Sequence, residues 1–210
     1  MDLLHDHYAK QGEKLVETLN KRMFQAQYVS TKEEALAAVL ALVGDKDTVG
    51  MGGSRTLEEI KVKEALLASG HMVYNHQGLS AAEAHEVRRQ EMLADVFLAS
   101  SNAITLDGQL INVDGTGNRV AAMIFGPKRV ILVIGANKIV RDEAAGRERI
   151  KMLAAPMNTA RLGRKTPCAL TGTCMNCGAA TSICRATSII HYPLSGSDFH
   201  IILVGETLGF

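Results

Sequence analysis

The sequence predicts an α/β fold, a mostly parallel sheet flanked by helices. Three observations predict it. Helix-start signals alternate with short apolar runs from residue 30 to residue 99. The run Val130-Ile131-Leu132-Val133-Ile134-Gly135 has no polar side chain, as a strand covered on both faces requires. A second apolar run, His200-Ile201-Ile202-Leu203-Val204, lies close to the last residue.

The elements follow in order. Residues 2–26 read as a helix, with Leu4, Tyr8, Leu15, Leu19 and Met23 near helical spacing. Residues 1–29 are therefore expected to form a helical extension, and such a helix could pack on a second copy as a homodimer contact. Residues 30–210 make the main domain. Ser30-Thr31-Lys32-Glu33 opens a helix that Gly44 closes. Thr48-Val49-Gly50-Met51 is a strand, and Thr56-Leu57-Glu58-Glu59 opens a helix ending at Gly70. His71-Met72-Val73-Tyr74 is a strand, Ser80-Ala81-Ala82-Glu83 caps another helix, and Asp95-Val96-Phe97-Leu98-Ala99 is a buried strand. This αβαβαβ order implies parallel pairing through right-handed crossovers. Asp107-Gly108 between Ile104-Thr105-Leu106 and Gln109-Leu110-Ile111-Asn112 then signals a tight hairpin. Helices are expected over 120–125, about 142–154 and near 157–163.

Composition narrows the function. Lys+Arg is 23 against 22 for Asp+Glu, so the basic excess of a nucleic-acid binder is missing. Aromatic residues are 4% with no Trp, which removes base-stacking platforms. No apolar run reaches the ~20 residues of a membrane span. The polar start Met1-Asp2-Leu3-Leu4-His5-Asp6-His7 does not read as a secretory signal, so a cytoplasmic address is expected.

Cys168, Cys174, Cys177 and Cys184 are the chain's four cysteines, spaced C-x5-C-x2-C-x6-C. Disulfides are rare in the cytosol, so the group reads as a metal site. Zinc usually recruits two separated knuckles, whereas this compact run sits nearer ferredoxin-type spacing. A four-iron, four-sulfur cluster is the favoured occupant, with zinc and plain thiols as alternatives. Pro167, Gly172, Gly178 and the small run Ala179-Ala180-Thr181-Ser182 would let the loop, residues 165–187, wrap closely.

Two further loops could carry chemistry. Gly50-Met51-Gly52-Gly53-Ser54-Arg55-Thr56 joins a strand to a capped helix. Gly52 and Gly53 allow close backbone approach, while Ser54 and Arg55 add a hydroxyl and a cation for an anion. Asp114-Gly115-Thr116-Gly117-Asn118-Arg119 holds more polar groups than a turn needs, and Asn102 follows another strand. These loops are expected to meet at the carboxyl ends of the strands. Asp114 and Glu206 are the candidate general bases or nucleophiles, and Arg119 is a candidate to bond backbone carbonyls and hold its loop.

These stretches resemble the LUD-domain family of lactate-utilisation proteins. The resemblance is carried by Gly50-Met51-Gly52-Gly53-Ser54, by Ser101-Asn102-Ala103-Ile104-Thr105, and most closely by Asn112-Val113-Asp114-Gly115-Thr116-Gly117-Asn118-Arg119. The cysteine run resembles that family's cysteine-bearing branch. The resemblance implies a fold like the sugar-phosphate isomerase and coenzyme-A transferase group, and a place in lactate or organic-acid oxidation beside iron–sulfur partner proteins. A small anionic metabolite is the implied ligand. Two other functions stay open: a transferase- or isomerase-like enzyme on a phosphate or acyl substrate with a structural metal, and a non-catalytic scaffold for redox partners.

Overall fold

The computed structural model describes residues 3–178 and 180–210; Met1, Asp2 and Ala179, at the head of the small-residue run, lie outside them. The chain runs α1 (Leu3–Lys21), β1 (Gln25–Val29), α2 (Lys32–Leu42), β2 (Val49–Met51), α3 (Arg55–Glu59), α4 (Val62–Ala68) and β3 (Val73–Asn75). It continues with α5 (Ala81–Leu93), β4 (Val96–Ala99), β5 (Ala103–Thr105), β6 (Leu110–Asp114), α6 (Asn118–Ile124) and β7 (Arg129–Gly135). After a 3-10 turn at Ala136–Lys138 come β8 (Ile139–Val140) and α7 (Glu143–Arg149), which passes through a π-type turn into α8 (Ala155–Arg161). The last elements are α9 (Pro167–Thr171), β9 (Ala186–Ile190) and β10 (Asp198–Val204).

A six-stranded parallel sheet in the order β1-β10-β7-β4-β2-β3 forms the centre. All five strands expected for it are present. Along β7, Val130, Leu132 and Ile134 enter one core while Ile131 and Val133 enter the other. The same alternation runs through β10, with Phe199, Ile201 and Leu203 opposite Ile202 and Val204. This period of two, apolar on both sides, is why neither strand shows a polar face in sequence. One core takes Leu15 and Leu19 of α1 and Met123 of α6. The other takes Val39 of α2, Leu57 of α3 and Leu66 of α4.

Three expectations need correction. The first helix ends at Lys21, not residue 26, because Met23 adopts a left-handed conformation and the Asn20 side chain bonds both the N–H and C=O of Ala26. Gln25–Val29 is then a strand on β10, and Leu15 and Leu19 are buried in this chain's own core. The helix expected from Thr56 to Gly70 breaks at Lys61, which is left-handed with φ 55°, so Ile60 and Val62 both turn inward. Its cap is Ser54, whose Oγ accepts from the Leu57 N–H at 3.3 Å. The second helix is capped by Thr31, not Ser30, with Glu34 closing back on the Ser30 N–H. The Ser80–Glu83 capping box is as expected.

The expected hairpin is present as antiparallel β5 and β6, with Gly108 at φ 86° in its turn. It belongs to a second, four-stranded sheet, β8-β5-β6-β9, that lies beyond the end of β4. β9 pairs antiparallel with β6 from Leu110 to Asp114. That pairing brings the preceding cysteine loop beside the loop after β6.

Candidate functional site

A cleft of about 360 Å³ opens at the carboxyl ends of β2, β4 and β7. The sequence-predicted residues Gly53, Ser54, Arg55, Asn102, Asp114, Gly115, Thr116 and Asn118 all line it. Gly52 and Gly117 do not. Gly52 sits behind the wall, where a Cβ would press the Arg119 stem and the Phe97 ring, both at 3.2 Å. Gly117 supplies the left-handed turn before α6, at φ 91°. The loop after β6 reaches this rim from the second sheet rather than from the parallel one.

The lining is strongly cationic. Arg55, Arg88, Arg161, Arg164 and Arg185 face the cleft together with Arg119 and Lys138, and among the described residues Asp114 is the one acidic side chain in the wall. Arg55 and Arg161 share the Glu58 carboxylate, at 3.0 and 3.4 Å. Arg88, on α5, keeps a buried Nε without a hydrogen-bond partner among the described residues. A buried N–H of this kind calls for an acceptor from outside the chain, water or a ligand.

Arg119 plays the holding role. Its Nη1 donates to Ser100 O at 2.9 Å and Asn112 Oδ1 at 2.6 Å; its Nη2 donates to Asn102 Oδ1 at 3.0 Å and Val113 O at 3.0 Å. Burial lowers its pKa, and the Asp114 charge opposes that. Asn102 works in the same lattice, accepting from the Val113 N–H at 2.8 Å. Asp114 Oδ1 accepts from the N–H groups of Thr116 and Gly117, and Oδ2 from that of Val120, each at 3.2 Å. The carboxylate is thus engaged in shaping its own loop.

Glu206, the other expected base, stands outside the cleft wall. β10 is separated from β4 by β7, and the Glu206 carboxylate accepts from the Lys32 N–H at 3.2 Å, at the start of α2.

Two reactive groups were not identified from the sequence. His76, just past β3, donates or accepts through Nδ1 at 2.6 Å from Glu91 Oε1, and its backbone N–H bonds the same oxygen at 3.0 Å. Glu91 is fully buried and also accepts from Asn118 Nδ2 at 3.4 Å. In the neutral ring this places the proton on Nδ1, leaving Nε2 as an acceptor beside Gly53. Lys138, after β7, donates to Thr56 Oγ1 at 2.7 Å and Ser100 Oγ at 2.9 Å. Burial, then the charges of Arg149 and Arg119, bring its pKa down to about 7, against a smaller opposing effect of Glu59. Neither residue belongs to a motif: one is a lone histidine after a strand, the other a lone lysine in a turn.

Because Lys138 binds its proton more weakly folded than unfolded, its penalty is fully present below about pH 7 and fades as pH rises toward 10.5. Lys138→Met is therefore expected to melt higher than the unmodified protein at pH 7. The gap should close by about pH 10, near the ordinary lysine value. Parallel thermal melts across pH check this; a gap that widens with pH contradicts it.

The cysteines line a second cavity, of about 340 Å³. Cys168, Cys174, Cys177 and Cys184 all face it, with Val113, Ser182 and Ile183 shared between this cavity and the cleft. Cys168 Sγ lies 3.5 and 3.3 Å from the Thr159 and Thr166 hydroxyls. Burial raises its pKa, but those hydroxyls and the N–H groups of Cys168 and Ala169 outweigh it, and the thiol stays below its usual value. Burial, then the charges of Cys174, Cys168 and Cys177, push the Cys184 thiol up. Among the described residues no three His, Cys, Asp or Glu side chains are arranged to hold a single metal ion. No helix among them is long and apolar enough to cross a membrane.

The fold is similar to that of a DUF162 family protein from Deinococcus radiodurans, with a TM-score of 0.55. The two are 16% identical, and the match covers 94% of this chain and 97% of that one. No curated protein matches the sequence. The LUD domain model matches residues 12–204, nearly the whole of the main sheet and both cavities, and the chain belongs to the LUD-domain family.

Proposed function

We propose that this protein binds a small anionic metabolite in the cleft and an iron–sulfur cluster in the adjoining cysteine cavity, as a cytoplasmic component of organic-acid oxidation. The observation that carries the reading is the shared wall: a cation-lined cleft and a four-thiol cavity meet at Val113, Ser182 and Ile183. Lactate, pyruvate or a phosphorylated compound suits the cleft by charge, and iron–sulfur proteins are the fitting redox partners.

The cysteine cavity suits a cluster by its donor set. All four candidate ligands are sulfur, and hydroxyl and N–H donors surround Cys168, as the sulfurs of such clusters require. When bound, the cluster would supply one-electron transfer. The chain's own residues bind and orient the anion: Arg88 and Arg161 offer N–H donors, while Ser54 presents a hydroxyl.

Calorimetry with inorganic phosphate, pyruvate and lactate tests the cleft. Arg88→Gln should weaken binding about tenfold or more, the scale of one lost charge-assisted hydrogen bond. Unchanged affinity would remove Arg88 from the site, and absence of binding by all three anions would overturn the reading. Anaerobic reconstitution with iron and sulfide tests the cavity, with stoichiometric iron expected.

One observation favours a second reading, a transferase- or isomerase-like enzyme. The Glu91–His76 pair presents an oriented Nε2 for proton transfer. In that case His76→Ala removes turnover of a phosphate or acyl substrate and leaves its binding intact.

A further inference from the structure

We propose that Lys138 is a nucleophilic amine that forms an imine with a small carbonyl compound bearing a carboxylate or phosphate. This rests on the anion-binding reading of the cleft and adds a covalent activity to it. Lys138 stands just beyond the carboxyl end of β7, and it lines the cleft together with both of its partners, Thr56 and Ser100. Those partners are neutral hydroxyls, at 2.7 and 2.9 Å. Thr56 passes its own proton to Leu208 O at 3.2 Å, so its lone pair faces the amine.

Among the described residues Lys138 forms no ion pair, because the charged groups around it are engaged elsewhere. Arg119 is spent on Ser100, Asn112, Asn102 and Val113. Arg149 donates to Asn137 O and Asn102 O. Glu59, the acidic group on the α3 side, is bonded to Arg55 Nε and the Gly209 N–H. Lys138 is only 2% exposed. An anchor for an anion gains nothing from such burial, because the penalty falls on its charged form. A nucleophile gains its lone pair. With a pKa of about 7, half of the amine is neutral at that pH, against fewer than about one in a thousand of ordinary lysines.

The step balances without an oxidant. The nitrogen lone pair attacks the carbonyl carbon, forming C–N as the C=O π pair moves to oxygen. A proton moves from nitrogen to that oxygen, and the Ser100 hydroxyl, 2.9 Å from the amine, lies within reach to relay it. The carbinolamine then loses its hydroxyl together with the remaining N–H proton as water, leaving C=N. The cleft guanidiniums hold the substrate's anionic group.

Borohydride trapping on the full chain tests this. The protein is incubated with pyruvate, and separately with pyridoxal phosphate, in the presence of sodium cyanoborohydride, and peptides are mapped by mass spectrometry. The expected result is a secondary-amine adduct on Lys138 that sulfate suppresses and Lys138→Arg abolishes, forming at a rate that rises through pH 7. The arm that labels identifies the carboxylate or the phosphate source. Calorimetric binding of either anion without an adduct on Lys138 overturns the imine and leaves the cleft reading standing. Adducts confined to other lysines overturn it equally. Failure of both anions to bind at all overturns the cleft reading and this proposal with it.

Discussion

Arg119→Ala is expected to cost about 3–5 kcal/mol of stability, the scale of removing one partner from a buried charged network. For a chain of this size each kcal/mol shifts the melting temperature by about 2–4 °C, so a fall of roughly 10 °C is expected. The reason lies in what the guanidinium leaves behind. Four acceptors would lose their donor: Ser100 O after β4, Asn102 Oδ1 before β5, Asn112 Oδ1 on β6 and Val113 O. Asn112 is fully buried, so water cannot replace the lost bond without opening the junction of the two sheets. An apolar isostere does not rescue this, because Arg119→Met fills the space and still orphans the acceptors. Arg119→Lys keeps the charge but lacks the planar fork, and should fall between the unmodified protein and the other two. Thermal melts of the three variants check the order. A shift under about 2 °C for Arg119→Ala would show that the network is dispensable.

Arg119 also marks how far the sequence could be read. Its placement among Asp, Gly, Thr and Asn suggested both a ligand contact and a loop clamp, and the hydrogen bonds make it the clamp. The parallel sheet was legible because β4, β7 and β10 are apolar on both faces, a pattern no solvent-facing element produces. β1 was not. Gln25–Val29 is an edge strand with two of its five residues exposed and none buried, and its polar alternation follows a helix without any proline or glycine to mark the change. β9 and β8 escaped for the same reason, being short and partly exposed members of the second sheet. Within the cleft, the glycine-rich loops were visible because backbone approach demands a composition. His76 and Lys138 were invisible because their chemistry comes from tertiary burial and from Glu91, Thr56 and Ser100, each distant in sequence. Glu206 shows the converse: following a strand does not place a carboxylate on the rim when the strand lies toward the far edge and a helix start claims the side chain.

Cys177→Ser is expected to abolish cluster binding and also to weaken the anion cleft, which that residue never touches. If the cysteines hold a cluster as proposed, losing one of four thiolates would remove the iron, read as lost absorbance and iron content after anaerobic reconstitution. The second effect follows from the shared wall. Ala180, Thr181, Ser182, Ile183 and Arg185 form one side of the cleft, and they lie between Cys177 and the start of β9. Their hold on the rest of the molecule is local. The Arg185 N–H donates to Asp114 O at 3.0 Å, and Ile183 packs so closely on Gly115 that a Cβ there would stand 3.0 Å from its Cα. The Arg185 guanidinium folds back on Ala180 O and Ser182 O of the same loop. On the proposed reading a cluster bonded to the loop at four points would fix this wall, and its loss would return the ordering cost to the anion, about 1–3 kcal/mol or five- to 150-fold in affinity. The coupling must be reciprocal, so saturating phosphate should slow loss of iron to a chelator from the unmodified protein. Phosphate affinity that is equal with and without iron would mean the two cavities act separately. No stoichiometric iron in the unmodified protein would remove the cluster itself, and the Cys177→Ser chain would then bind phosphate as the unmodified one does.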